Sequence, residues 1–424
     1  SILNTASIET MTENMYQNIL AWEEELFVAN MVQGIIPADT DFATYQYPME
    51  TRQNIRYMRM FAGAFMYAAG EHNGVEYGSC APLVQGKPTT MTSGQAENGL
   101  FGWGIAHEIG HNMDKIGYAE ITNNIYSMAM QAWDGSNMTT HTTRLTTDNR
   151  WVKIFEKTAQ AREGMANDVF VQLGMYWQLH LAYDDAENPL AFYNKFFTKL
   201  KSNEYSGYTK DERIALIASE IVNRDLSEFF TRWGMKLGEN ALSQIKSYAN
   251  EERAIWYLND KSRNARLKGV SANTGTTSVD TSVHENIVKL TISNTEADTI
   301  QGYEIIRNGV TIGFTTTGTY EDNLGAANNL AYTYSVVPVD ILGNIGQSVK
   351  SEEIRISYDK TIDTSLYDMS TGDNGTITVT MKNGASVPVT GLKITGANSG
   401  EITVNVKDNA SNDSWTLAKN TNIT

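Results

Sequence analysis

The chain has 424 residues, more than one hydrophobic core can serve, so two to four domains are expected. Hydrophobic residues make up 41% and charged residues 19%, an ordinary globular balance that excludes extended disorder. Lys+Arg number 33 against 49 Asp+Glu, and this net charge of −16 argues against nucleic acid or an anionic membrane surface as partner.

Cys80 is the single cysteine, which rules out an internal disulfide, and nothing around it activates a nucleophile, so it reads as a small core or pocket residue. No apolar run is long enough for a membrane span, and no membrane insertion is expected. The chain opens on Ser1 without a signal peptide and is read as a processed or excised piece, so the missing signal says nothing about location.

Residues 1 to 268 read as largely helical with a short β portion. A Thr10-x-x-Glu13 capping box opens a helix whose apolar face is Met15, Ile19, Trp22 and Leu26. Glu23, Glu24 and Glu25 fall on its solvated side. Next comes a helical piece placing Arg52, Arg56 and Arg59 on one face, suited to surface salt bridges or to an anionic group. The glycine-punctuated stretch FMYAAGEHNGVEYGSCAPLV then reads as strands and a turn.

Residues 100 to 126, LFGWGIAHEIGHNMDKIGYAEITNNIY, carry the chemistry. His107 and His111 lie one helical turn apart on one face, so both can reach one metal ion. Glu108 stands beside the first, where a carboxylate can act as general base and acid on a metal-held water. Leu100, Ile105 and Ile109 give an apolar side. Gly102, Gly104 and Gly110 weaken the helix and make sense where backbone or ligand must come close. Gly117 is the expected stop, and Glu120, on a second helix with Asn124 and Ser127, is the expected third ligand. Ile121, Ile125 and Ala129 form the buried side of that helix.

Three protein ligands with a fourth position open is the catalytic zinc arrangement. The metzincin pattern is excluded, because Asp114 and Gly117 stand where it needs glycine and a third histidine. Asp114 is a weaker competitor to Glu120, since it lies on the same short helix as the histidines. An oxyanion donor is also needed, and His72, Tyr77, His141, His180 and Tyr183 are all available. Trp103, one turn before His107, is either a sugar-facing ring or a core residue. Tyr77 is the other substrate-side aromatic.

Further helices are expected at about 151–162, 165–184, 188–202, 212–223 and 226–257, the last group capped by Asp225-x-x-Glu228. From about 269, helical periodicity gives way to short strands with turn signals every 8 to 12 positions, as in a β-sandwich. Asn308-Gly309 marks a hairpin. GYEIIRNGVTIGF and YTYSVVPVD make 269–358 resemble a fibronectin type III domain. The strand-rich 359–424 resembles either a discoidin-like carbohydrate-binding jelly roll or a bacterial immunoglobulin-like spacer. The expected fold is therefore multidomain: a mainly α catalytic domain (α+β) over 1–268, followed by all-β sandwich modules.

GWGIAHEIGHN with GYAEITNNIYS, supported by FMYAAGEHNGVEYG, MYWQLHLAY and DLSEFFTRWG, resembles the enhancin-like zinc metallopeptidases of the gluzincin group. That resemblance implies one zinc ion on His107, His111 and Glu120, with Glu108 as general base. It also implies a secreted or cell-surface bacterial peptidase whose partner is an O-glycosylated, mucin-like glycoprotein. Gluzincins carry an acid four residues after the third ligand to orient a ligand histidine; here that position is Asn124. The alternatives are a thermolysin-like protease indifferent to glycans, and an adhesin that holds zinc without catalysis.

Overall fold

The structure, a computed structural model, describes residues 8–46, 52–60, 64–70, 72–84, 86–87, 99–133, 143–184, 187–188, 190–284, 286–325, 331–355, 367–373, 377–382, 405–407 and 414–416. His141, the side chains of the Thr10–Glu13 box and most of 359–424 lie outside them. Helices and sheets are mixed, with the sheets mostly in the C-terminal part. The chain forms two compact units: Ser1–Asp280 with Thr291–Tyr320 and Tyr334–Ser351, and Thr281–Leu290 with Glu321–Thr333 and Glu352–Thr424.

In the first unit, α1 (Ile8–Val32) is followed by β1 (Ile55–Met58), β2 (Met66–Ala68) and β3 (Asn73–Glu76), then α2 (Gly104–Met113) and α3 (Asn124–Ala132). Helices α4 (Arg144–Thr147), α5 (Trp151–Gln160), α6 (Val169–Tyr183), α7 (Ala191–Lys201) and α8 (Lys210–Val222) come next. The pair β4 (Arg224–Asp225) and β5 (Ala249–Asn250) brackets α9 (Ser227–Arg232) and α10 (Glu239–Ile245), and α11 (Asp260–Leu267) ends the helical run. All nine residues of α3 are buried, which makes it the central helix, covered by α1, α2 and α6. Among the described residues no helix is long and apolar enough to cross a membrane.

Several local expectations are corrected. The arginine segment is a strand: β1 runs parallel to β3, with Arg56 paired to Gly74 and Tyr57 to Val75. Ile-Arg-Tyr-Met suits a ladder better than a helix, and of the three arginines only Arg56 lies in the strand, so no helical face gathers them. The 226–257 stretch breaks into short pieces because Gly234 takes φ +91° after α9.

Helix α1 buries a different face from the one its apolar spacing implies. Met15 and Ile19 are 61% and 56% exposed, whereas Phe27, Val28, Ala29 and Met31 are fully buried against α3 and α7. Glu24 and Glu25 are buried rather than solvated. Glu24 accepts from Lys87 Nζ (2.5 Å) and Trp133 Nε1 (2.8 Å), while Glu25 Oε2 accepts the backbone N–H of Phe101 (3.0 Å). A buried carboxylate persists only with such partners.

The strands that follow are β6 (Thr277–His284), β7 (Ile287–Asn294), β8 (Ile300–Arg307), β9 (Val310–Thr315), β10 (Thr319–Asn323), β11 (Ala331–Tyr332), β12 (Tyr334–Asp340), β13 (Val349–Lys350) and β14 (Ile354–Arg355). The short pairs β15 (Tyr367–Thr371) with β16 (Ile377–Met381), and β17 (Asn405–Lys407) with β18 (Ser414–Thr416), lie in the second unit. The first unit contains the four-stranded sheet β13-β12-β8-β9.

The β8–β9 hairpin turns at Asn308 (φ +50°) and Gly309 (φ +82°), as a two-residue hairpin with both angles positive requires. This hairpin packs on the helices. Phe314 stacks on Tyr257 at 3.9 Å and meets Phe155 edge-on at 5.3 Å. Glu304 accepts from Arg232 Nη1 (2.8 Å) and the Tyr257 hydroxyl (2.6 Å).

Candidate metal centre

The chain enters α2 through a buried turn at Gly99–Gly102, in which Phe101 adopts φ +60° and is held by Glu25. Burial pushes the Glu25 carboxyl up to about 8, against the Phe101 N–H that favours its charged form, and the Glu24 charge adds to the rise. Helix α2 then stops at Met113, four residues before Gly117, because the Asp114 side chain folds the chain back: its oxygens accept from Ile116 N (2.9 Å), Gly117 N (2.9 Å) and Thr122 Oγ1 (2.6 Å). Asp114 thereby has its oxygens occupied within the loop.

Glu120 is not on a helix. It sits in the turn before α3 at φ +64°, a left-handed conformation uncommon for a residue with a Cβ. Gly110 allows the two arms to approach: a Cβ there would come within 2.1 Å of Asn123 O. Ser127 Oγ also donates to Trp103 O (3.1 Å), fastening α3 to the start of α2.

These turns bring His107, His111 and Glu120 together, with ligand atoms within 4.8 Å of one another. The spacings are 3.1 Å between the two Nε2 atoms, 3.3 Å from His107 Nε2 to Glu120 Oε2, and 3.2 Å from His111 Nε2 to Glu120 Oε1. A tetrahedral zinc with ligand bonds of about 2.0–2.1 Å separates its ligands by about 3.3 Å, so the triangle fits the ion. His107 Nδ1 lies 2.6 Å from Asn124 Oδ1 and 3.2 Å from Asn123 Nδ2. The shorter contact decides the tautomer: Nδ1–H donates to Asn124, leaving the Nε2 lone pair for a metal. Asn123 Nδ2 donates instead to His107 O (3.4 Å).

Asn124 also donates from Nδ2 to the carbonyl of Glu120 (2.8 Å). One amide thus fixes two members of the triangle, a double role that spacing alone does not reveal. Burial lowers the affinity of His107 for a second proton; the Asn124 bond and the Glu120 charge oppose this, while His111 and the Arg144 guanidinium add to it. Glu108 is buried, and desolvation followed by the Glu120 charge pushes its carboxyl up to about 7.

The other sequence candidates lie in different settings. Trp103 is 7% exposed, packed on Phe170 with the Arg144 guanidinium 4.9 Å over its ring. Tyr77, after β3, is 60% exposed. The His72 ring bonds the Tyr67 hydroxyl (2.8 Å), and Tyr183 donates to Glu251 (2.7 Å). His180 is fully buried beside Asp184, stacked on Trp177 at 4.0 Å.

Residues 5–234 match the family of Peptidase M60, enhancin and enhancin-like. No curated protein matches the chain. The M60 catalytic domain of Clostridium perfringens ZmpC, solved in complex with the sialyl T antigen, is similar at 26% identity and TM-score 0.60, over 78% of this chain and 62% of that one. The ZmpB metallopeptidase of the same organism shares the fold at 24% identity and TM-score 0.57, over 78% and 62%. The ZmpA catalytic module does so at 22% and 0.57, over 78% and 61%. This chain therefore spans about three-fifths of the length of these three. Since the match over 5–234 takes in more than half of the 424 residues, the chain belongs to the M60 enhancin-like metallopeptidases, a zinc-dependent family.

Proposed function

We propose that this chain is a secreted bacterial zinc endopeptidase that cleaves O-glycosylated, mucin-like glycoproteins. The ligand triangle of His107, His111 and Glu120, with Glu108 next to it in α2, carries the reading. Zinc held there would supply Lewis acidity toward a peptide carbonyl and toward water. Asn124 holds the His107 ring in the tautomer that presents Nε2, and holds the backbone from which Glu120 projects. Glu108 takes the proton of the attacking water and passes it to the departing nitrogen.

Sugar recognition is supported by the ZmpC domain solved with a sialyl T antigen. Of the two aromatic candidates, Tyr77 has the accessible ring face for a pyranose, and Trp103 offers little. We assign 1–268 to the peptidase, 269–358 to a fibronectin type III-like module, and 359–424 to a carbohydrate-binding or immunoglobulin-like module.

The test is mass spectrometry of products from a defined O-glycoprotein, before and after enzymatic deglycosylation. Cleavage of the glycosylated form alone is expected, with Glu108→Gln inactive while still binding zinc. Equal cleavage of both forms would make the enzyme a general protease. Glycan binding without cleavage by the zinc-loaded wild type would make it an adhesin.

A further inference from the structure

Glu120 faces a mechanical problem. Its side chain is 60% exposed, so packing does little to aim it, and its backbone is in the left-handed region. The loop from Asp114 to Thr122 must therefore be held from elsewhere. On its inner side Asp114 and Thr122 do this, with Thr122 Oγ1 also accepting from Tyr118 N (3.0 Å).

On its outer side the loop meets the first turn of α8. The Tyr118 hydroxyl donates to Asp211 Oδ1 (2.5 Å), Lys210 Nζ donates to the carbonyl of Gly117 (2.8 Å), and the same ammonium lies 4.3 Å over the Tyr118 ring. The turn is itself anchored. Thr209 and Glu212 form a capping box, and Glu212 Oε1 accepts from Gly238 N (2.9 Å). A carboxylate acceptor makes the Tyr118–Asp211 bond one of the stronger kind. It also pushes the Tyr118 hydroxyl above its ordinary range, after burial as the larger cause.

We infer that Lys210 and Asp211 of α8, acting through Gly117 and Tyr118, are positioning residues that hold the Glu120 loop in its metal-binding conformation. Some ninety residues separate them from that loop in sequence, and nothing in the H-E-x-x-H pattern points to them. The inference rests on the proposed zinc centre and adds to it a determinant of metal affinity outside the ligands and their direct partners. Without the clamp, the strained turn at Glu120 has an alternative: it relaxes, the carboxylate leaves the triangle, and two histidines bind the ion more weakly.

The experiment is zinc affinity by chelator competition, with melting of the metal-free protein in parallel, for Tyr118→Phe, Asp211→Ala and Asp211→Asn. Positioning groups of this kind carry about tenfold in metal affinity. Tyr118→Phe and Asp211→Ala should each weaken zinc binding about tenfold, and the two combined should lose no more than either alone, because they break the same bond. Asp211→Asn keeps an oxygen for the Tyr118 hydroxyl and should restore affinity to within about threefold of wild type.

Melting of the metal-free variants should stay close to wild type, since the substitutions leave the buried Ile116 and Thr122 of the loop and the Tyr118 ring in place. Wild-type affinity in both Tyr118→Phe and Asp211→Ala overturns the clamp, as does a loss in Asp211→Asn equal to that in Asp211→Ala. A wild type that binds zinc but cleaves nothing overturns the peptidase and leaves the clamp standing. A wild type that binds no zinc overturns both.

Discussion

Asn124 serves two members of the metal centre through one amide. Oδ1 accepts from His107 while Nδ2 donates to the Glu120 carbonyl, and a carboxylate can perform only the first task. Zinc affinity should fall in the order Asn124, Asn124→Asp, Asn124→Ala, with the alanine variant about 10–100-fold weaker than wild type. Tighter binding by the aspartate variant would remove the Glu120 tether from the account. Glu25 supports the centre from behind, at the turn where the chain enters α2. Its carboxyl is raised to about 8 in the folded chain by burial, above its ordinary value near 4.5.

The folded state therefore holds this proton more tightly than the unfolded chain does. The stabilisation is complete below about pH 4.5 and is lost as pH rises through about 8. Glu25→Gln keeps an oxygen for Phe101 N and cannot ionise. It should raise stability at pH 9 by about 1–3 kcal/mol, the cost of a buried group left poorly satisfied. Its melting temperature should also vary less than wild type between pH 5 and 9. The triple-glutamate run gives no hint of this role, since a helical stripe of acids reads as solvated until Lys87, Phe101 and Trp133 are seen to meet two of its members.

At the scale of elements, the metal centre depends on how closely α2 and α3 approach. Gly110 sets that distance, because an added methyl would press on the Asn123 carbonyl. Gly110→Ala should cost about 1–3 kcal/mol through overpacking and weaken zinc binding in parallel, as melting and chelator competition would show. A variant with wild-type values for both would mean that the arms adjust freely.

The local pattern made the two histidines legible, since their spacing is a property of any helix. It misplaced the helix end and the setting of Glu120, because the stop is made by the Asp114 side chain rather than by Gly117. The Asn308-Gly309 hairpin was legible for the same reason as the histidines: its backbone requirement is contained in two residues. The strand at Arg56 was not, because its ladder partner lies at Gly74. The exposed Met15 and Ile19 were not either, because spacing marks a face without saying what covers it.

For the molecule as a whole, composition marks a change near residue 269, while the packing of the first unit continues past it. Phe314, Glu304 and Val339 belong to the same unit as α2 and α3. A chain ending at residue 268 would uncover Tyr257 and leave Arg232 and the Tyr257 hydroxyl without Glu304. It should lose about 3–5 kcal/mol relative to the full chain, as scanning calorimetry would register. Equal melting of the two would show that the sheet is a passenger.

The chain passes between the two units at 280/281, 290/291, 320/321, 333/334 and 351/352, so no single cut frees either. The same interleaving bears on the order of synthesis. His107, His111 and Glu120 leave the ribosome early, but the hairpin that stacks on Tyr257 leaves much later. During translation the zinc ligands are thus present in a nascent chain whose supporting wall is still unmade, and the first unit is complete only once Ser351 has emerged.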